Sequence, residues 1–92
     1  MSDKQRAERT KYLVEQEFNP PLTDEAYAAL ANRTDPCLLQ YGVTWKGSYF
    51  ATDRTRMVCE FECESVDQVR SAMRSADVAF VRIWQANKYE PR

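Results

Sequence analysis

Hydrophobic and polar residues alternate in four segments of the chain, and a period of two predicts β-strands. These segments are residues 12–18, 43–51, 56–63 and a stretch between 78 and 88. The third segment alternates most regularly, with Met57, Cys59, Phe61 and Cys63 on one face. In the second segment, strict alternation predicts that Trp45 and Tyr49 share a face and that Ser48 lies on the other.

Two further segments carry apolar residues three and four positions apart, which predicts amphipathic helices. The first begins after Thr23, a predicted N-cap followed by two acidic residues. We expect Asp35-Pro36 to interrupt it and a separate short turn to follow, because proline disfavours helix at the residue before it. The second begins at Ser65, where the S-x-x-Q pattern matches a capping box, and ends near residue 76.

The resulting order is β-α-β-β-α-β, which predicts an α+β, ferredoxin-like split βαβ sandwich. Its four-stranded antiparallel sheet carries both helices on one face. Residues 1–10 are polar and lack periodicity, so we expect a flexible lead-in before a single domain over 11–92. The uncovered face should carry aromatic residues, a feature typical of a binding or subunit interface.

Composition excludes several classes of function. The 92 residues include no histidine, so the chain can build neither a Ser-His-Asp or Cys-His pair nor an imidazole metal site. With 13 Lys and Arg against 14 Asp and Glu, the chain lacks the basic excess of nucleic-acid-binding proteins. No segment is apolar enough to span a membrane, and the charged N-terminus is unlike a signal peptide. Three cysteines, an odd number, favour a cytoplasmic protein with reduced thiols.

The cysteines of the third strand have two interpretations. Cys59 and Cys63 share a face but are separated by roughly 13 Å of strand, too far for one metal ion to bridge. They are small buried thiols, or Cys59 is a soft ligand or reactive thiol.

Glutamates of the first and third strands also have two interpretations. Glu15 and Glu17 share one face, Glu60 and Glu62 share another, and the fold makes these strands neighbours. The carboxylates are therefore either a site for a hard cation or for acid–base chemistry, or a surface with cross-strand ion pairs. The candidate counter-ions are Lys46, Arg56 and Arg82.

Three stretches, residues 12–18, 42–49 and 57–62, together with the spacing to the last strand, resemble the small bacterial DUF4242 family. The resemblance covers roughly residues 11–89 and implies a ferredoxin-like homodimer. Some members of that family are described as nickel-binding. The resemblance places Glu15 in the first-strand motif, and Cys59 at the third-strand cysteine position. The second-strand motif contains Trp45, Ser48 and Tyr49. Because this chain has no histidine, histidine-ligated nickel is disfavoured, while another transition metal stays open.

We therefore predict a homodimeric binding protein that holds a small ligand or metal ion at the sheet face or in an internal pocket. Its candidate ligand-binding residues are Glu15, Trp45, Ser48, Tyr49 and Cys59. The alternative is a cofactor-independent enzyme of the dimeric α+β-barrel type acting on a small aromatic or polyketide-like substrate, with Glu15 or Tyr49 exchanging the proton. A purely structural dimer is the third hypothesis. Nucleic acid and membrane are not expected partners.

Overall fold

A computed structural model describes residues 9–91, which form four strands and two helices. In chain order the elements are β1 (Thr10–Glu17), α1 (Asp24–Gln40), β2 (Thr44–Phe50), β3 (Arg56–Cys63), α2 (Val66–Ser75) and β4 (Arg82–Ala86). The strand order is β2-β3-β1-β4, and each neighbouring pair is antiparallel. The predicted ferredoxin-like architecture is therefore confirmed. Of the predicted lead-in, residues 1–8 lie outside the described residues, while Thr10 already pairs with Cys63.

The sheet has a covered face, against which both helices pack, and an open face. Alternate residues of β1 and β3 enter the core on the covered face, where they meet Leu38 of α1 and three buried residues of α2. The buried strand residues are Tyr12, Val14, Gln16, Met57, Cys59, Phe61 and Cys63. The open face carries Lys11, Leu13, Glu15, Glu17, Tyr49, Arg56, Val58, Glu60, Glu62, Arg82 and Trp84.

Helix α1 is longer than its sequence predicts. It continues through Pro36 to Gln40, so the expected interruption at Asp35-Pro36 is wrong. A proline removes one helical hydrogen bond, but burial of Leu38 in the next turn favours continuation of the helix. Beyond the helix, Gly42 has φ 72°, and the N–H of Val43 donates to the carbonyl of Leu38 at 2.9 Å. This is a Schellman ending, in which Gly42 supplies the left-handed residue that follows the helix.

Strand β2 contains a β-bulge that overturns its predicted faces. Trp45 lies opposite Phe61, and Gly47 lies opposite Glu60, so Lys46 is an extra residue in the strand. The bulge moves Ser48 onto the covered face with Trp45 and leaves Tyr49 on the open face. Gly47 has φ 151°, a conformation that favours glycine over residues with a Cβ atom.

Candidate functional site

A line of hydrogen bonds crosses the covered face through three strands. The indole Nε1 of Trp45 donates to Ser48 Oγ at 3.0 Å, and Ser48 Oγ donates to Cys59 Sγ at 3.0 Å. Cys59 Sγ then donates to Gln16 Oε1 at 3.7 Å, and Gln16 Nε2 donates to the Ala79 carbonyl at 3.3 Å. The structure therefore brings together three of the five predicted site residues and adds Gln16 to them.

Each side chain in this line is electrically neutral. Burial raises the pKa of the Cys59 thiol, and the hydrogen bond from Ser48 offsets only part of that increase. The thiol is consequently protonated at neutral pH and acts as a hydrogen-bond donor. Cys59 and Gln16 are 7% and 5% exposed, so their mutual contact satisfies groups that water barely reaches.

A narrow cavity, here named the α1 slot, lies along this line between α1 and the sheet. Its volume is about 40 Å³. The residues that line it are Gln16, Tyr27, Leu30, Ala31, Thr34, Asp35, Leu38, Trp45, Ser48, Met57, Cys59, Phe61, Met73 and Val78. Most are apolar, Asp35 is exposed, and no lysine or arginine is among these lining residues. The slot thus combines an apolar wall with a short series of neutral polar groups.

The other two predicted site residues, Glu15 and Tyr49, lie on the open face. Glu15 Oε2 accepts a hydrogen bond from Trp84 Nε1 at 2.7 Å, and its Oε1 lies 3.5 Å from Arg82 Nε. Tyr49 is 73% exposed and pairs with Val58, which in turn pairs with Glu15. The sheet therefore separates the five predicted residues into a group of three and a group of two.

The carboxylates of β3 do not meet those of β1. Glu60 lies opposite Leu13 and Glu62 opposite Lys11, and both carboxylates contact the ammonium of Lys11. Hydrogen bonding to Lys11 lowers the pKa of Glu60, and the same contact raises the pKa of Lys11. Of the expected counter-ions, Arg82 does pair with a glutamate, Glu15.

Sequence reasoning missed two residues of these clusters, although a signal for each was present. Gln16 is the single amide on the face of β1 that also carries Tyr12 and Val14, so we expect a buried hydrogen-bond partner for its side chain. Lys11 shares the open-face alternation of Leu13 and Glu15 and stands at the beginning of the same strand.

Fold and site together define a small α+β sandwich with an open sheet face and an apolar slot under its first helix. The chain belongs to the family described as "Nickel responsive protein SCO4226-like", whose model matches residues 12–85. The resemblance to DUF4242 is consistent with this membership. A search of curated proteins found no match.

Among solved structures, the chain is similar to SCO4226 from Streptomyces coelicolor A3(2), with a TM-score of 0.76. The two share 10% sequence identity over 87% of this chain and 99% of that chain. At this identity the similarity shows the fold alone.

The family description raises the question of whether this chain could hold nickel. The chain has no histidine, and within residues 9–91 no three side chains of cysteine, aspartate or glutamate come together as a metal site. Burial raises the pKa of the Cys63 thiol as it does that of Cys59, which opposes the thiolate that metals bind. The described residues thus do not fit a nickel ion.

Among residues 9–91, no helix is both long and apolar enough to cross a membrane.

Proposed function

We propose that the protein is a homodimeric binding protein that takes a small neutral ligand into the α1 slot. The observation that carries this proposal is the hydrogen-bonded line from Trp45 to Gln16 along an otherwise apolar wall. Pockets that bind small molecules commonly combine an apolar lining with a few placed polar groups. Here the O–H of Ser48 and the S–H of Cys59 are already donated along the line, so a ligand would meet the remaining acceptor lone pair of Ser48 and the second amide N–H of Gln16.

The charges around the slot favour a neutral ligand. No cationic side chain among residues 9–91 lines it, so an anion would lose its hydration without gaining a partner there, and the carboxylate of Asp35 would repel it. A metal ion is disfavoured as well, since the Cys59 thiol stays protonated.

Its size limits the ligand further. A volume of about 40 Å³ accommodates a few water molecules, whereas an apolar cavity of about 150 Å³ admits benzene. A larger ligand would require the half-exposed indole of Trp45 to swing away from Ser48. The enzyme alternative has less support, because its proposed proton carriers, Glu15 and Tyr49, lie on the opposite side of the sheet from the slot.

Fragment binding followed by NMR tests the slot. Small neutral amides, alcohols and thioethers should shift the Trp45 Nε1–H and Gln16 Nε2–H resonances, while carboxylates of matched size should not. Cys59→Leu fills the slot, and Ser48→Ala breaks the hydrogen-bonded line. Each variant should reduce the chemical-shift changes that the neutral fragments cause at least tenfold. Cys63→Ala is the matched control, because it removes a buried thiol of the same strand face that does not line the slot.

Two results would contradict the proposal. One is that neutral fragments at millimolar concentration leave both resonances unmoved, and the other is that carboxylates bind as well as amides.

The dimer in this proposal is assigned to the open face. Tyr49 and Trp84 are exposed near opposite edges of the face, and half-buried Leu13 and Val58 lie between them. Residues of both charge signs surround this apolar row, so a second copy related by a twofold axis can oppose unlike charges.

The three cysteines are free thiols, which supports the predicted cytoplasmic location.

Sedimentation velocity and native mass spectrometry test the dimer. The wild-type chain should be dimeric at tens of micromolar, and Tyr49→Arg should shift it to monomer. Leu39→Arg is the control, because Leu39 is 83% exposed on α1 and so lies on the helix side of the sheet. A monomeric wild-type protein, or equal dissociation by both variants, would exclude this interface.

A further inference from the structure

We infer that the ammonium of Lys11 takes the cation position between the carboxylates of Glu60 and Glu62, and that the side chains of residues 9–91 therefore bind no nickel ion. The inference does not depend on the α1 slot. It concerns the open face, where a β1 lysine meets two glutamates of β3.

The geometry of the cluster follows from the strand register. Lys11 lies opposite Glu62 and diagonal to Glu60, and all three side chains project from the open face. Lys11 Nζ contacts Glu60 Oε2 and lies 3.4 Å from Glu62 Oε2. The two side chains of the closer pair are only about one-fifth exposed, so this ion pair is shielded more than an ordinary surface pair. A single positive charge therefore already lies where two carboxylates converge.

A divalent cation would have to displace this ammonium. Carboxylate oxygens favour hard cations, and two of them with water could begin such a site. The lysine stem, however, leaves a backbone fixed in the middle of the sheet, so its charge stays near the carboxylates and opposes a second cation.

Four other donors among residues 9–91 already have partners. Asp24 Oδ1 lies 2.7 Å from Arg54 Nη2, and Glu15 faces Arg82. Cys59 and Cys63 are buried, protonated thiols that donate hydrogen bonds to neighbouring groups. Nickel is bound well by imidazole, which this chain does not contain. The donor set that would suit a nickel ion is thus missing from the described chain.

The first test measures nickel directly. Untagged full-length protein is dialysed against buffered nickel chloride at about 10 μM free metal, and bound nickel is counted by elemental analysis. We expect less than one-tenth of an ion per chain. One ion per chain, or one per two chains shared across a dimer, would overturn the inference.

The second test asks whether Lys11 is the cation that the carboxylates hold. Titration of the Glu60 side-chain carboxyl by NMR should give a pKa below the ordinary value in the wild type and a higher one in Lys11→Met. Lys46 and Lys88 also lower the pKa of Glu60, and Glu62 is its carboxylate neighbour. These three charges are the same in the wild type and in Lys11→Met, so they do not account for a difference between the two titrations. Lys11→Arg should restore the low value, and Arg82→Met should leave it unchanged. An unchanged Glu60 titration in a folded Lys11→Met protein would reject the role given to Lys11.

Discussion

The two faces of the sheet differ in the polar contacts that they hold, which are neutral on one face and charged on the other. On the covered face, hydrogen bonds link an indole, a hydroxyl, a thiol and an amide, all of them neutral. On the open face, the comparable contacts join an ammonium or a guanidinium to carboxylates. The residues alternate along the same strands, so Cys59 and Glu60 are neighbours in sequence and lie in different environments.

Burial decides which polar groups each face can hold. Removing a charge from water costs several kcal/mol, whereas a neutral group with a hydrogen-bond partner is tolerated. Gln16, at 5% exposure, is accepted because both ends of its amide are paired. Lys11 and Glu60, near 20%, keep enough water to stay charged. The ligand that we propose for the covered face would therefore be neutral, and the proposed association through the open face would be electrostatic in part.

The largest expected effect is a difference in stability loss between two aromatic residues, one on each face of the sheet. Phe61 is 3% exposed on the covered face, so Phe61→Ala should lower the free energy of unfolding by about 3–5 kcal/mol. Tyr49→Ala on the open face should change it by no more than about 0.5 kcal/mol. Urea denaturation at low micromolar protein measures both. Equal losses would contradict the division into a packed and an exposed face, and a loss for Tyr49→Ala that grows with protein concentration would support the proposed dimer.

A smaller effect is expected at the bulge that assigns residues to the two faces. Gly47→Ala should destabilise the protein by about 1–3 kcal/mol, because the strain of a positive φ falls on the backbone. A Cβ atom there would meet no heavy atom within 4 Å, so crowding adds nothing. Loss of the bulge would also turn Trp45 away from Ser48, which should move the indole N–H resonance.

Lys46→Ala is the control for this prediction, since Lys46 is the exposed extra residue of the same bulge. It should leave both stability and the indole resonance nearly unchanged. If Gly47→Ala behaves in the same way, the glycine is not what determines the faces of β2.

This bulge also marks the limit of what the sequence predicts. Regular alternation in β1 and β3, helical spacing, and the cap at Ser65 together predict the element order and sheet topology. They fail where a local pattern is overridden by packing or by an inserted residue. Pro36 indicates a helix break, but the helix continues to Gln40, because this places Leu38 in the core.

The sequence indicates three of the four side chains in the hydrogen-bonded line and does not predict how they assemble. It points to Trp45, Ser48 and Cys59 and misses Gln16. Strict alternation also predicts Trp45 and Ser48 on opposite faces. A single extra residue, Lys46, reverses every assignment after it, because strand side chains alternate with a period of two. The strand register cannot be read from the sequence either, so the sequence does not predict that Glu60 pairs with Lys11 rather than with Lys46, Arg56 or Arg82.

The smallest expected effect tests the charged face through pH. The folded-state pKa of Glu60 is lowered, so its pairing with Lys11 stabilises the protein above the ordinary glutamate pKa and loses that effect as pH falls through the lower folded value. The pKa of Lys11 is raised, so its share is present below the ordinary lysine pKa and is lost as pH rises through the higher folded value. Glu60→Gln should therefore cost at most about 1 kcal/mol at neutral pH.

The pH profile distinguishes this ion pair from mere packing. The difference in unfolding free energy between wild type and Glu60→Gln should vanish in strong acid, where the carboxyl is protonated in both the folded and unfolded states. Glu90→Gln is the control, because the Lys88–Glu90 pair is well over half exposed and should contribute nothing measurable. A Glu60→Gln penalty that persists unchanged into acid would mean that the side chain acts through its shape. The open face would then resemble the covered face more closely than its charges indicate.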